Sequence, residues 1–495
     1  MKKRLILTAL MAGALAISGG GAAAQNEPAA PADKRISAEA ALADIDLMEE
    51  AYQRIHPGYT RYASAADMAA VWNSVRAEAA EGIFVGDFYI AVQRALTAIS
   101  CDHTKAELPR ALADDRNKTP VYLPFKWTVI DGRGFITGVP EGSPFRLKDE
   151  IVSINARALS SIIKERAPFI PVDGYATWSR RSGIAQSLEF MGGAVDHFGA
   201  LLEDVTPSVK VAVRRPDVGV VDIDTERMIY DDYRAIKEPD EAAGNFKDAV
   251  TFKRIGERGA YLRVDSFVNY RIPVDPDEIY DPIFDALKDE GRDHLILDLR
   301  RNGGGSDDAS GGLKRRLITK KHRFITEARV ATIDHSGLEQ YLSTWDDRVI
   351  NPPRIAFKKN DDGTYSLRQF FDPALKAARP ERNAFDGRLI ILTSTDNSSG
   401  STNLIAALKS LGRAELVGEK TGGSPTGTTA GVLVTLTAPN SKIKTRIPVF
   451  RYFNNVTGFK EGYGVTPDVA APMRVEDFLA GRDPAYDKAI SLIDG

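Results

Sequence analysis

The sequence predicts an α/β protein whose main domain is preceded by a helical N-terminal region and a small β-rich module. Three observations predict it. Past Glu257, short apolar runs such as "AYLRV", "HLILDL", "RLIILT", "AELVG" and "GVLVTL" alternate with helical patterns, as expected of a sheet buried on both faces. From about Val121 to Val209 the runs are shorter, alternate apolar with polar residues and are separated by Gly and Pro, as in "GRGFITGV". Ahead of Val121, apolar residues recur at helical spacing.

In chain order, residues 1–24 combine a basic start, an apolar stretch from Leu5 to Ser18 and small residues at Ala22 and Ala24. This is the layout of a cleavable secretory signal, which predicts a mature chain starting near Gln25 and a periplasmic or secreted location. The stretch is shorter than the roughly 20 residues of a membrane span, and no later segment is long and apolar enough to cross. No stable span is therefore expected in the mature chain. A Pro/Ala linker, 25–36, follows. Cys101 is the only cysteine, so no intramolecular disulfide forms and stability must come from packed cores. The formal net charge of -3, with acids and bases interspersed and no basic patch, argues against nucleic acid as a partner.

Residues 37–118 form the helical region. Ser37 is placed to cap a helix that carries Leu42, Ile45, Met48, Tyr52 and Ile55 on one side and stops at "HPG" from His56. A second helix starts at Asp87, carries Phe88, Val92, Ala95, Leu96 and Ile99, and stops near Ser100. Residues 119–230 form the β-rich module. Its "LKDEIVSINARALSSII" resembles the end of a PDZ domain, whose pattern is Gly-Asp-x-Ile-x-x-Ile-Asn-Gly. Lys148 and Ala156 stand in place of the two glycines, and "VKVAV" near Val209 completes the sheet. Residues 255–480 form the main domain.

Two strand-to-helix turns in the main domain carry unusual chemistry. After "RLIILT" comes "TDNSSGSTNLIAALKSLGR", in which Leu404, Ile405, Leu408 and Leu411 mark a helix and three serines crowd its start. Serines there have two readings. Ser401 caps the helix while its neighbours fill a turn, or one serine is a nucleophile, served by the first-turn N–H groups and the positive helix end that stabilise charge on a substrate oxygen. After "HLILDL" comes "RRNGGGSDD", whose residues 302–305 let the backbone approach a ligand and present N–H groups. No Gly-Lys-Ser/Thr follows, and Asp307 and Asp308 would repel phosphate, so a neutral carbonyl fits better. A nucleophilic serine needs a base. None of the six histidines follows His335, which excludes the α/β-hydrolase order. His103, in the polar turn "SCDHTKAELP", is the best placed. There is no His-Glu-x-x-His, no Cys pair and no His/carboxylate cluster at ligand spacing, so neither a metal nor a cofactor is expected.

Taken together, "LILDLRRNGGG", "NSSGSTNLIAALKSLGRAELVGEKTGG" and "EGYGVTPD", with "DHT" upstream, resemble the tail-specific or C-terminal processing serine peptidases, in particular their tricorn-core-like, histidine-dependent branch. The resemblance covers about 255–480 plus the histidine motif. It implies a ClpP/crotonase-like catalytic core, a peptide or protein substrate and no cofactor. It places Ser399 as nucleophile, nineteen residues before Gly418, with Ser398 as the alternative. His103 becomes the general base, Glu461 the carboxylate that polarises it, and Gly400 with Gly303 or Gly304 the oxyanion donors. Asp102 stands where the tricorn core has a serine before its histidine, which leaves the division of work between Asp102 and Glu461 open. The lysine of the family's Ser/Lys branch is Ser424 here. The function implied is an exported serine peptidase working through an acyl-enzyme. The other readings are a non-catalytic ligand- or peptide-binding protein on the same scaffold, and a small-ester hydrolase.

Overall fold

The computed structural model describes residues 34–187 and 189–493. The expected signal segment and most of the linker lie outside the described residues. At the N-terminal side, Ser37 accepts a bond from Ala40 N and caps α1 (Ala38–Ile55), whose buried stripe runs from Ala41 and Ile45 through Met48 and Tyr52 to Ile55. A helix that apolar spacing did not reveal, α2 (Ala65–Glu78), starts at a capping box between Ser64 and Asp67. Its buried face holds only Met68, Trp72 and Val75, too few to stand out among alanines. The Ser-x-x-Asp cap was the readable sign. The next helix, α3 (Val85–Thr97), begins two residues ahead of Asp87, because a short strand pair, Ile83–Phe84 on Arg35–Ile36, leads directly into it.

The β-rich module consists of β1 (Lys126–Ile130), β2 (Arg133–Gly138), β3 (Glu150–Ile154), α4 (Leu159–Arg166), α5 (Ala194–Leu202), β4 (Ser208–Arg215) and β5 (Gly219–Glu226). Its strands form an antiparallel sheet in the order β1-β2-β3-β4-β5. Lys148 and Ala156 both adopt left-handed backbone, with φ of 70° and 61°. These are the two positions where the PDZ pattern has glycine, the one residue that enters this region without steric penalty.

The main domain is built from β6 (Val250–Ile255), β7 (Gly259–Val264), α6 (Pro276–Asp289), β8 (His294–Asp298), α7 (Asp307–Leu317), β9 (Ile325–Val330), β10 (Arg388–Thr393), α8 (Ser399–Ser410), β11 (Glu415–Gly418), β12 (Thr429–Thr437), β13 (Lys444–Asn454), β14 (Val469–Ala470), α9 (Val475–Ala480) and α10 (Pro484–Ile493). Its first sheet runs β6-β7-β8-β10-β11-β14 and is parallel except for the β6-β7 hairpin. Side chains alternate along a strand, so the continuous apolar runs supply two cores at once. Leu295, Leu297, Leu389 and Ile391 join the core that contains Tyr280 of α6, Leu313 of α7 and Leu404 of α8. Ile296, Ile390, Leu392 and Val417 pack instead on Ala485 and Ala489 of α10. Among the described residues no helix is long and apolar enough to cross a membrane.

A second, antiparallel sheet is centred on β9, β12 and β13. The N-terminal region joins it: Lys105–Glu107 pairs with the start of β13, with Glu107 opposite Lys444 and Lys105 opposite Arg446. Asp44, fully buried on α1, makes a second tie by accepting bonds from Asn440 N, Ser441 N and the Asn440 side-chain amide. Module and main domain are joined by Lys148 Nζ donating to Leu479 O of α9 and by the Arg474–Asp131 ion pair.

Two stability measurements test this account. Ala156 is exposed and left-handed, so Ala156→Gly is expected to raise the unfolding free energy by roughly 0.5–1 kcal/mol despite glycine's greater unfolded-state entropy. Asp44→Ala removes the acceptor of three hydrogen bonds, two of them from backbone N–H groups, and is expected to lower it by about 2–4 kcal/mol in urea titrations.

Candidate active site

Three parallel strands end at the same edge of the first sheet, and the segment leaving each supplies part of a site. β8 leads to residues 302–305, β10 to 394–399 and β11 to 419–423. Outside the carboxyl ends of parallel strands, backbone N–H groups and diverging loops make a natural ligand crevice.

The first two turns are braced by a pair of fully buried asparagines. Asn302 donates from Nδ2 to Val264 O at 3.0 Å and accepts at Oδ1 from Gly304 N at 2.9 Å. Asn397 donates from Nδ2 to Leu299 O at 2.5 Å and to Asn302 O at 3.1 Å, and accepts at Oδ1 from Ser394 N. The glycine turn is thereby pressed against the serine turn. A Cβ at Gly304 would lie 2.8 Å from Ser399 Cβ and 3.0 Å from Gly400 N, and its φ is 110°, so only glycine fits. The N–H of Gly304 is used by Asn302, whereas those of Gly303 and Gly400 have no acceptor among the described residues.

Ser399 opens α8 with a left-handed φ of 47°. A non-glycine residue held there stores on the order of 1–2 kcal/mol of strain. Its hydroxyl has no protein partner among the described residues, while the Ser398 hydroxyl donates to Asp102 Oδ2. That bond brings the histidine turn of the N-terminal region to the mouth of α8. Asp102 Oδ1 and His103 Nδ1 lie 2.6 Å apart, out of hydrogen-bond alignment, with both side chains about one-fifth exposed, at 21% and 23%. Burial disfavours the charged ring of His103, but the Asp102 carboxylate outweighs it and holds the imidazole well above its ordinary value. Against burial of its own, the His103 cation and the Ser398 hydroxyl draw Asp102 down to about 2. Cys101, Asp102 and His103 also bring a thiol, a carboxylate oxygen and a ring nitrogen within 4.8 Å of one another. The three are consecutive in sequence, a spacing unlike that of the usual metal-ligand motifs. His56 is neutral: it is buried, held at about 3, accepts from Gly58 N and contacts Thr104 Oγ1.

Glu461 takes a different position from its neighbours. It accepts from Arg61 Nε at 2.7 Å and Arg451 Nη2 at 2.8 Å and makes no hydrogen bond to His103 among the described residues. The carboxylate facing the Asp102 and His103 charges is Asp173, which the sequence reading missed. It is buried, accepts from Ser424 N at 2.9 Å, and is pushed up to about 7 by burial and by the nearby Asp102 charge, against the pull of Arg61. Its loop is pinned to the site on both sides, by Gly174 N on Ser100 O and Tyr175 N on Gly462 O. A lone Asp in "PVDGY" reads as a turn residue, and only the tertiary fold gives it these partners.

Residues 258–471 match the model of peptidase family S41. The chain carries an S41 peptidase domain. By that match the domain belongs to a family of serine-type peptidases. Mature CPAF in complex with lactacystin is 14% identical, with a TM-score of 0.62 over 92% of this chain and 97% of that one. Mature CPAF alone is 13% identical, with a TM-score of 0.63 over 92% and 96%. The likeness to these two structures is one of fold, a mixed α/β architecture.

Two outcomes test the site's construction. Asn397→Ala removes the brace between the turns and is expected to cost about 2–4 kcal/mol in denaturant titration. Asp173 keeps its proton in the folded protein up to about 7, against 3.8 for a free carboxyl. Its contribution to stability is therefore present below the free value and lost as pH climbs through about 7. Asp173→Asn, which can still accept from Ser424 N, removes that loss, so its melting temperature relative to the unaltered protein should rise between pH 5 and pH 8.

Proposed function

We propose that the protein is an exported serine peptidase in which Ser399 is the nucleophile and His103 the general base. The observation that carries this reading is the backbone of Ser399: a strained, left-handed serine with an unpartnered hydroxyl, opening a helix against Gly304. His103 takes the Ser399 proton as the hydroxyl oxygen bonds to the substrate's carbonyl carbon. The oxyanion is received by the unpartnered N–H groups of Gly400 and Gly303, each such donor being worth about 3–4 kcal/mol. Collapse breaks the C–N bond, His103 returns the proton to the departing amine, and water hydrolyses the acyl-enzyme by the same route reversed.

In this scheme Asp102 stabilises the imidazolium and Ser398 holds Asp102. A carboxylate drawn down to about 2 is a poor base at neutral pH, which favours His103 for the proton and Ser399 over Ser398 for the attack. Glu461 acts at a distance, holding Arg61, whose Nη2 in turn binds Gly427 O at 3.0 Å. Export rests on residues 1–24. The core is of the ClpP/crotonase type and the small sheet is PDZ-like, a reading that the left-handed Lys148 and Ala156 support. Strand addition along β1 would be its means of taking a peptide. That edge is partly occupied by the chain itself: Gln186 donates to Trp127 O, and Leu123 N, just before β1, donates to Asp196.

Ser399→Ala is expected to abolish fluorophosphonate labelling while the melting curve persists; undiminished labelling would move the nucleophile to Ser398. The acidic limb of kcat/KM should lie above the imidazole value of about 6.5, because His103 must shed its proton to act. Asp102→Asn should shift that limb to lower pH, and His103→Ala should lower kcat/KM by roughly 10²–10⁴-fold.

A further inference from the structure

Two lysines at the rim of this site have aromatic rings for partners and no carboxylate. Lys420 Nζ lies 4.0 Å from the centre of the Trp178 ring and 5.2 Å from that of Tyr463, and Lys460 Nζ lies 4.2 Å from the same Tyr463 ring. Among the described residues neither lysine forms an ion pair. The acids around them are engaged elsewhere: Glu419 with Arg181, Glu461 with Arg61 and Arg451, and Asp396 with Ser182. Lys420 is lowered by burial and by the neighbouring Lys460 charge, with Tyr463 working in the other direction. Both cations lie against the Tyr463 ring, and among the described residues no carboxylate pairs with either. Ring faces attract and orient cations but leave their charge in place, so the arrangement is preorganised for an anion.

Its position relates that anion to the reaction. Lys420 follows β11, at the sheet edge that also carries the serine and glycine turns. Trp178 is fixed by Nε1 donating to Thr421 O at 3.0 Å, and Gly422 N and Gly423 N both donate to Asn397 O at 2.9 Å. Gly423 packs on the serine turn, where an added Cβ would lie 3.0 Å from Ser398 Cα. Only Thr421 and Gly422 separate Lys420 from Gly423, a reach of at most roughly 10 Å between Cα atoms, or about three residues of an extended substrate.

We propose that Lys420 and Lys460, seated on Trp178 and Tyr463, form a subsite for the carboxylate of an Asp or Glu side chain of the substrate. The inference rests on the reading of Ser399 as nucleophile, and it narrows the substrate class to peptides with a negative charge a few residues from the scissile bond.

The test begins with cleavage of a mixed peptide library by the full chain, followed by kinetics on the best peptide. Cut sites should be enriched for Asp or Glu at one fixed position. Replacing that Glu by Gln removes the recognised charge, and a response to amidation of the C terminus alone, with none to this change, overturns the side-chain subsite. The change that removes the recognised charge should raise KM about tenfold, the scale of two partly exposed ion pairs. The double substitution Lys420→Gln, Lys460→Gln should raise KM for the charged peptide to match and erase the discrimination. The pair Lys420→Arg, Lys460→Arg should retain it, and the pair Lys420→Glu, Lys460→Glu should reverse it towards Lys and Arg. Discrimination that survives the Gln pair, or KM values indifferent to both peptide changes, overturns the subsite. Fluorophosphonate labelling reports the nucleophile separately. Should labelling fail, calorimetric affinities of the intact protein for the charged and neutral peptides decide the subsite, and equal affinities overturn it.

Discussion

The site depends on one set of contacts, the hydrogen bonds by which Asn302 and Asn397 clamp two strand-to-helix turns together. Each turn by itself is a common piece of α/β structure. Placed side by side, they set a serine's Cβ against a glycine and leave two N–H groups without acceptors among the described residues. A buried asparagine can hold such a geometry because its amide donates and accepts in fixed directions, and an unpaired amide in a fully buried position would be costly. The brace also explains how a left-handed serine is tolerated. Its strain is offset by a network in which Asn397 alone contacts Leu299, Asn302, Ser394 and Ser401.

Around this brace, charge is arranged by burial more than by proximity to solvent. Two carboxylates, Asp102 and Asp173, face one imidazole, and their environments push them apart, one down to about 2 and the other up to about 7. A pair separated in this way divides its work. The ionised member stabilises a cation, and the reluctant member bridges loops through the Ser424 N–H without adding a second full charge near neutrality. Arg61, Glu461 and Arg451 continue the chain of charges outward to the surface.

How much of this was legible in the sequence follows from how local each feature is. The two turns could be read because a strand, a small-residue turn and a helix leave their marks within about twenty residues. The apolar runs of β8 and β10 announced a sheet covered on both sides, since every position after the first residue of each strand is buried. The helix α2 was lost because its three core residues are diluted by alanine. Asp173 and the two asparagines were lost for a different reason: their roles consist of bonds to residues far along the chain. Glu461 shows the converse. Its motif is local and conspicuous, but its partners, Arg61 and Arg451, come from another segment and another strand, and no sequence pattern pointed to them.

His103 and Ser399, proposed above as base and nucleophile, come from distant regions of the chain that share one hydrophobic core, which couples activity to folding. His103 is held at the main domain by three backbone pairs on β13, by the Asp102 bond to Ser398 and, more remotely, by the Asp44 clamp on the hairpin at Asn440. None of these contacts lies within the parallel sheet. The serine, the glycine turn and the asparagine brace belong to the main domain, whereas the proposed base comes with the N-terminal region, so the proposed site exists only while the two are docked. Each exposed polar tie is worth little by itself, and the buried ones, Asp44 among them, together with the shared apolar core, make docking of the histidine turn as persistent as the fold. The proposed site is thus held together by contacts between residues far apart in the chain.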